Sequence, residues 1–118
     1  MMTEKLFIFI LLIHFLADFG LQTHEQATNK YKGGKQLFYH VGIYSLIWLI
    51  GANLFLNFEN SFYFAFFTFI AHYLTDLVTS NITKPFFEKK DFHNGFLVIG
   101  FDQMLHYLQL YLTFKLLL

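Results

Sequence analysis

Apolar residues fill most of this chain in four long segments, separated by three short polar stretches. The apolar segments cover residues 6–21, 37–56, 62–82 and 96–118. Each approaches the roughly 20 residues that a helix needs to cross about 30 Å of hydrocarbon. Backbone groups surrounded by lipid must bond internally, so helices are the expected form. The pattern predicts an all-α polytopic membrane protein whose four transmembrane helices form a bundle.

Turn-forming residues mark the three connections. A glycine pair occurs in NKYKGGKQ (29–36), NFEN (57–60) is a short polar turn, and NITKPFFEKKDFHNG (81–95) holds the only proline, Pro85. None of these stretches has the length of an interdomain linker. The sequence therefore predicts one domain over residues 1–118.

Lysines concentrate in the first and third connections, and the second connection has none. The lysines of these two connections are Lys30, Lys32 and Lys35, followed by Lys84, Lys89 and Lys90. Only Lys5 and Lys115 lie near the chain ends. By the positive-inside rule, the lysine-rich loops are predicted to be cytoplasmic and both termini to face outward.

Composition supports a membrane location and excludes several classes of function. Of the 118 residues, 56% are apolar and 18 are Phe, more than a soluble domain of this size is expected to bury. Membrane lipid is the predicted partner. A net charge of zero and the lack of a basic face argue against nucleic-acid binding. The chain has no cysteine, so disulfides and thiolate metal sites are excluded.

Seven ionisable residues interrupt the apolar segments at comparable depth. Three pairs have the i, i+4 spacing that puts both side chains on one helix face. The pairs are His14/Asp18, His72/Asp76 and Asp102/His106, and His40 stands alone near the start of the second segment. With alternating helix directions, all seven fall in the predicted cytoplasmic half of the membrane. The sequence therefore predicts that they meet.

A short internal repeat accompanies these residues. HFLADFGLQT (14–23) aligns with HYLTDLVTSN (72–81), and each is followed by a lysine-bearing loop and a helix with an early histidine. Two helical hairpins in the same sense would produce this pattern. The first segment is accordingly interpreted as part of the fold rather than as a cleaved signal peptide, because His14 and Asp18 interrupt the usual cleavage region.

The chemistry of the seven residues favours a metal site. An aspartate at the centre of a membrane helix costs about 2.5–3.5 kcal/mol, and such residues usually mark a functional site. Imidazole and carboxylate together suit Zn²⁺, Mn²⁺ or Fe²⁺ better than Ca²⁺ or Cu⁺. The predicted ligands are His14, Asp18, His40, His72, Asp76, Asp102 and His106. One ion with orienting aspartates and a pair of ions both remain possible.

The ordered motifs resemble a bacterial family of small, uncharacterised multi-pass membrane proteins. The resemblance rests on HFLADFGLQT, the following lysine loop, HYLTD and DQMLH, and it covers nearly the whole chain. It implies a bacterial inner (plasma) membrane location. Residues 70–87, IAHYLTDLVTSNITKPFF, are also similar to a segment of membrane-bound metal-dependent hydrolases. That similarity implies that His72 and Asp76 are metal ligands, although the other motifs of that group have no counterpart here.

The leading functional hypothesis is a metal-dependent membrane hydrolase acting on a lipid or a lipid-linked phosphoester. Its predicted catalytic residues are Asp18, Asp76 and Asp102, acting as ligands, orienting groups or base. Two alternatives stay open. One is an ion, proton or metal transporter subunit, which would require a homo-oligomer around a shared axis. The other is a non-catalytic membrane subunit in which the His–Asp pairs only stabilise the fold.

Overall fold

A computed structural model describes residues 3–118 of the chain, and these fold into α-helices with no strand. The all-α prediction is confirmed; the first two positions of the predicted 1–118 domain lie outside the described residues. The helices are α1 (Glu4–Phe15), α2 (His24–Asn29), α3 (Lys35–Ala52), α4 (Phe58–Glu88) and α5 (Phe92–Leu117). A π-helical segment, Leu16–Gly20, extends α1, and a 3₁₀ turn, Lys30–Lys32, follows α2.

The first apolar segment is a bent helical unit. Thr3 caps α1 by accepting a hydrogen bond from the Leu6 N–H. In the π-helical segment, the Leu21 N–H donates to the Leu16 carbonyl at 2.9 Å, five residues back. A capping box between Thr23 and Gln26 then starts α2, which lies at 82° to the α1 unit. A stretch between two predicted spans thus contains a short helix.

The break before α3 lies where the glycine pair predicts it. Gly33 ends the 3₁₀ turn with φ of 67°, a left-handed conformation that favours glycine. Asn57 then caps α4 with a hydrogen bond from the Asn60 N–H, so most of the predicted NFEN turn belongs to the first turn of α4.

The third connection is much shorter than predicted, because α4 continues through Pro85 to Glu88. Proline inside a helix removes one hydrogen bond and costs about 3 kcal/mol. Packing of the last turn offsets this cost. The Phe87 ring lies 5.2 Å from the Phe96 ring and 6.0 Å from the Phe92 ring, both on α5. Tertiary contacts therefore override the local signal from proline.

Asp91, the last residue of this three-residue connection, caps α5. Its side chain accepts hydrogen bonds from the side chain and the backbone N–H of Asn94. These bonds hold the pKa of Asp91 below its usual range, with the side-chain bond contributing more. The capped start of α5 fixes the hairpin formed by α4 and α5.

Helix α4 is the centre of the bundle, packed between α3 and α5, and α1 contacts both α3 and α5. The apolar core lies in the half of the bundle where α5 ends and α4 begins. Trp48, Phe64 and Phe114 are fully buried there, with the rings of Phe64 and Phe114 4.2 Å apart. The other half holds the buried polar residues.

The surface of the bundle is apolar and part of its interior is polar. On α5, Phe96 and Phe101 are more than half exposed, whereas Asp102 and His106 are buried. The other long helices follow the same rule, with exposed residues such as Leu12, Ile50 and Phe66. A water-soluble bundle distributes these residue types in the reverse way.

A length-and-composition criterion identifies fewer spans than the sequence predicts. Among the described residues, Phe58–Glu88 is the one helix long and apolar enough to cross a membrane. The count rises to two if the bent pair Glu4–Gly20 and His24–Lys32 forms one span. Four transmembrane helices are therefore not supported by this criterion. The core helix of a soluble protein meets it too, so the count alone does not assign a location.

Two glycines of α5 provide a test of the α4–α5 contact. A Cβ at Gly95 would lie 2.9 Å from the Phe87 ring, whereas one at Gly100 would meet nothing within 4 Å. Alanine favours a helix over glycine by about 0.5–1 kcal/mol. We expect Gly100→Ala to raise the unfolding temperature in detergent and Gly95→Ala to lower it, because the Phe87 ring must move. Equal effects of the two substitutions would contradict the packing of Phe87 against α5.

Candidate metal centre

All seven ionisable residues predicted from the sequence meet in one buried cluster. None of these residues is more than 5% exposed. The chain brings them together from the α1 unit, α3, α4 and α5, so every long helix contributes. The cluster consists of His14, Asp18, His40, His72, Asp76, Asp102 and His106. The cluster contains two sets of ligand atoms that could each hold a metal ion. Within each set, all atoms lie within 4.8 Å of one another.

The first set, the four-ligand group, contains Asp18, His40, His72 and Asp76. The Nε2 atoms of His40 and His72 are 3.2 Å apart. His40 Nε2 lies 3.1 Å from Asp18 Oδ1 and 3.2 Å from Asp76 Oδ2. His72 Nε2 lies 3.0 Å from Asp76 Oδ2 and 3.5 Å from Asp18 Oδ1. Five of the six distances between these four atoms thus fall between 3.0 and 3.5 Å.

These five distances are close to the edges of a small tetrahedron, and all four ligand atoms lie within 4.8 Å of one another. Zinc binds nitrogen and oxygen ligands at about 2.0–2.1 Å in tetrahedral geometry, which sets the ligands about 3.3–3.4 Å apart. The four-ligand group has nearly this spacing. Two imidazoles and two carboxylates are also a common donor set for divalent transition metals.

Hydrogen bonding alone does not satisfy the four-ligand group. If both Nε2 atoms carry a proton, each can donate to a carboxylate, but two N–H groups then face each other across 3.2 Å. If one Nε2 is unprotonated, its lone pair faces a carboxylate oxygen at hydrogen-bond distance, and the two acceptors repel each other because neither has a proton to donate. A cation at the centre would instead accept all four lone pairs.

The second set, the three-ligand group, contains Asp18, Asp102 and His106. His106 Nε2 lies 3.1 Å from Asp102 Oδ2 and 3.0 Å from Asp76 Oδ1. Asp76 therefore directs Oδ2 to the histidines of the four-ligand group and Oδ1 to His106 of the three-ligand group. Asp18 belongs to both groups. Thr79 donates to Asp102 Oδ1 at 2.5 Å and fixes the position of that carboxylate.

Gln103 connects the aspartates to His14 and determines the tautomer of that histidine. Its Nε2 donates to Asp18 Oδ2 at 3.1 Å and to Asp102 Oδ2 at 3.0 Å, since carboxylates only accept. Its Oε1 consequently accepts from His14 Nε2–H at 2.6 Å. His14 Nδ1 is then the acceptor for the Tyr44 hydroxyl at 2.8 Å. Both nitrogens of His14 are thus hydrogen-bonded to protein, and its predicted role as a ligand remains a prediction.

Ring packing orients His72. Its ring stacks on that of His106, with centroids 4.1 Å apart and planes 5° from parallel, and the Tyr44 ring lies 3.9 Å away. His72 Nδ1 is buried and has no hydrogen-bond partner. Metal-ligating histidines usually donate this second N–H to a neighbour, so His72 departs from the usual arrangement.

A cavity of about 570 Å³ reaches the cluster from the side of α2 and the 3₁₀ turn. Asp18, Asp102 and Gln103 form part of its wall. Lys30 also borders it, with Nζ 3.6 Å from Asp76 Oδ2 and 3.5 Å from Gln22 Oε1. Asp18 and Asp102 are therefore the members of the cluster that a ligand in the cavity can approach.

The sequence pattern indicated some supporting residues and missed others. The sequence predicts that Gln103 is a supporting hydrogen-bond partner and that His24 and His93 are solvated; both histidines are exposed. It predicts only an interfacial or packing role for Tyr44, although this residue lies four positions after His40 on the same helical face. It predicts that Lys30 lies in a cytoplasmic loop whose lysines meet an anionic head group, but not that Lys30 approaches Asp76, because no periodicity relates a loop residue to the helices.

Comparison with known proteins adds a family but no activity. No curated protein and no solved structure matches the chain. The similarity to membrane-bound metal-dependent hydrolases therefore stays a prediction, whereas the expected match to an uncharacterised family is confirmed. The family model described as "Protein of unknown function (DUF3307)" matches residues 6–117, and this chain belongs to that family.

Proposed function

We propose that this protein is an integral membrane protein with a divalent-metal site, and that it hydrolyses a lipid or lipid-linked phosphoester. The observation that carries the proposal is the spacing of the four-ligand group, in which five of the six distances between ligand atoms fall between 3.0 and 3.5 Å. The four-ligand group would hold the ion. Asp102 and His106 would lie beside it at the end of the cavity.

Charge balance favours one divalent ion in the resting protein. The cluster contains three aspartates, and Lys30 is the lysine within ion-pair distance of them among residues 3–118. With neutral histidines, three negative charges are balanced by one divalent cation and one ammonium group. Burying three carboxylates without such balance would cost several kcal/mol for each ion. Zinc, manganese and iron(II) fit the nitrogen and oxygen donors.

The distribution of side chains supports the membrane location. Large apolar residues are exposed on each long helix, whereas the aspartates and histidines of the cluster on the same helices are buried. Lipid around the bundle would cover the apolar surface, and the buried ionisable residues would face the interior of the bundle. The lysine distribution predicts the orientation by the positive-inside rule. The lysine-rich connections would then be cytoplasmic, and the site would lie in the cytoplasmic half of the membrane.

The cavity favours catalysis over transport. A bound divalent ion lowers the pKa of a coordinated water and stabilises charge on a phosphoryl oxygen. Asp102 borders the cavity and accepts hydrogen bonds from Thr79 and Gln103, which fix the orientation of its carboxylate. In this position it would act as a base or a ligand. A transport path would need polar groups through the whole bundle. Trp48, Phe64 and Phe114 close the other half with fully buried aromatic rings.

Metal content is the first test of this proposal. We expect about one zinc, manganese or iron per chain in protein purified without chelator, measured by elemental analysis. His72→Ala and Asp76→Ala should lose most of it, because each removes a ligand of the four-ligand group. Chelation should lower the unfolding free energy by about 4 kcal/mol if metal is present at 1,000 times its Kd.

The controls for this measurement are His24→Ala and His93→Ala, since both side chains are exposed and outside the cluster. They should retain the metal. If wild-type protein carries no stoichiometric metal and chelation leaves its stability unchanged, the His–Asp cluster only stabilises the fold.

Hydrolysis is tested separately, with phosphatidic acid in detergent micelles as substrate. We expect phosphate release that stops on chelation. Asp102→Asn should lower kcat about 10²–10⁴-fold, as expected for loss of a general base, while metal stays bound in the four-ligand group. Asp91→Asn is the matched control, because Asp91 caps α5 outside the cluster and asparagine can also cap a helix. Release that persists in Asp102→Asn would exclude this residue from the reaction.

The membrane location and orientation are testable with single cysteines, since the chain has none of its own. Glu59→Cys lies at the start of α4, and Lys89→Cys lies between α4 and α5; both positions are exposed. In bacterial spheroplasts, a membrane-impermeant maleimide should label Glu59→Cys directly and Lys89→Cys only after permeabilisation. Labelling in the opposite order would reverse the orientation. Recovery of the protein in the soluble fraction would refute the membrane location.

A further inference from the structure

The side chains that line the cavity beside the cluster differ in how many hydrogen-bond donors they can offer an anion. Phe19, Phe87 and Ile99 give it an apolar part, and hydroxyl and amide groups of α4 and the π-helical segment give it a polar part. Ser80 and Thr83 donate their hydroxyl protons to carbonyls of α4, Ser80 to that of Asp76 and Thr83 to that of Thr79. Gln103 uses its N–H groups on two aspartates. These residues have acceptors to offer a ligand but few donors.

Lys30 is the residue of the cavity wall best able to donate to an anion. Its ammonium group has three N–H donors, and its two protein contacts, to Gln22 and Asp76, are long at 3.5 and 3.6 Å. The other lysine of the wall, Lys84, is paired with Glu88 and lies over the Tyr31 ring at 4.9 Å. Its charge is therefore already balanced at the mouth of the cavity.

The position of Lys30 couples it to the metal centre. Its Nζ approaches Asp76 Oδ2, the same oxygen that faces His40 and His72 in the four-ligand group. A divalent ion in that group would neutralise Asp76 and weaken its attraction for the ammonium group. The lysine would then be free to turn toward the cavity without leaving a bare carboxylate behind.

We propose that this cavity binds a phosphoryl group and that Lys30 is the positioning residue that holds it beside Asp102. The inference rests on the proposed metal centre, because it is the metal that releases Lys30 from Asp76. The apolar wall formed by Phe19, Phe87 and Ile99 fits a hydrocarbon chain attached to the phosphoryl group. A phosphate-bearing amphiphile and a small soluble phosphate share this head group, and the two are separated by experiment.

The test is a calorimetric titration of metal-loaded protein in detergent with two probes. The first is inorganic phosphate, and the second is a long-chain alkylphosphonate, whose carbon–phosphorus bond resists hydrolysis. Lys30→Gln should weaken binding of both probes about tenfold or more, which corresponds to about 1.4 kcal/mol or more. Lys30→Arg keeps the charge and should bind within a few-fold of wild type. Chelation of wild type should also weaken binding.

Lys32→Gln is the matched control, because Lys32 belongs to the same 3₁₀ turn but does not line the cavity. Its affinity for both probes should equal that of wild type. Tighter binding of the alkylphosphonate than of phosphate identifies an amphiphile as the ligand, and equal binding identifies a soluble phosphate. Unfolding temperatures of all variants are measured in parallel, and Lys30→Met is the second uncharged variant, with the same expected loss of binding, if Lys30→Gln does not fold.

The outcomes separate this inference from the proposed function. If the protein holds metal but Lys30→Gln and Lys32→Gln bind phosphate equally, the role of Lys30 is wrong and the metal centre stands. If the protein holds no metal, both proposals fail. If it holds metal and neither probe binds to wild type, the cavity is not a phosphoryl site.

Discussion

Two buried carboxylates, those of Asp18 and Asp76, are the constraint on which the rest of the bundle depends. Each directs its oxygens to partners on different helices, and together they contact His40 on α3, His72 on α4 and His106 on α5. A buried carboxylate without such partners would cost several kcal/mol, so the helices must stay close enough to supply them. The apolar core in the other half, around Trp48 and Phe64, contributes packing that is less directional.

The same constraint accounts for local departures from regular helix. Asp18 lies in the π-helical segment, and π-helical turns often occur at functional sites. The 82° bend that follows carries the chain over the end of the bundle, where the 3₁₀ turn places Lys30 near Asp76. The bend closes one side of the cavity, and Asp18 and Asp102 form part of the cavity wall. The other members of the two ligand groups, His40, His72, Asp76 and His106, are not part of that wall.

Site chemistry was more predictable than site connectivity. The i, i+4 spacing of His14/Asp18, His72/Asp76 and Asp102/His106 fixes which side chains share a face, because the helical period is a local property. Whether those faces meet depends on the rotation of each helix against its neighbours, which no single segment encodes. The hydrogen bonds of Gln103 illustrate this limit. An amide next to Asp102 is visible in the sequence, but its contacts with Asp18 and His14 cross 85 and 89 positions.

The sequence by itself determined the all-α class, the four apolar segments and the identity of the seven clustered residues, since composition and helical periodicity suffice for these. Tertiary structure decided the rest. It extended α4 through Pro85, because packing of Phe87 against α5 outweighs the local cost of proline. It also placed six of the seven residues in the four-ligand and three-ligand groups, which share Asp18, and left His14 hydrogen-bonded to Gln103 and Tyr44. It brought Lys30 to the edge of these groups. Those results depend on distances between atoms far apart in the chain, which only the packing of the helices sets.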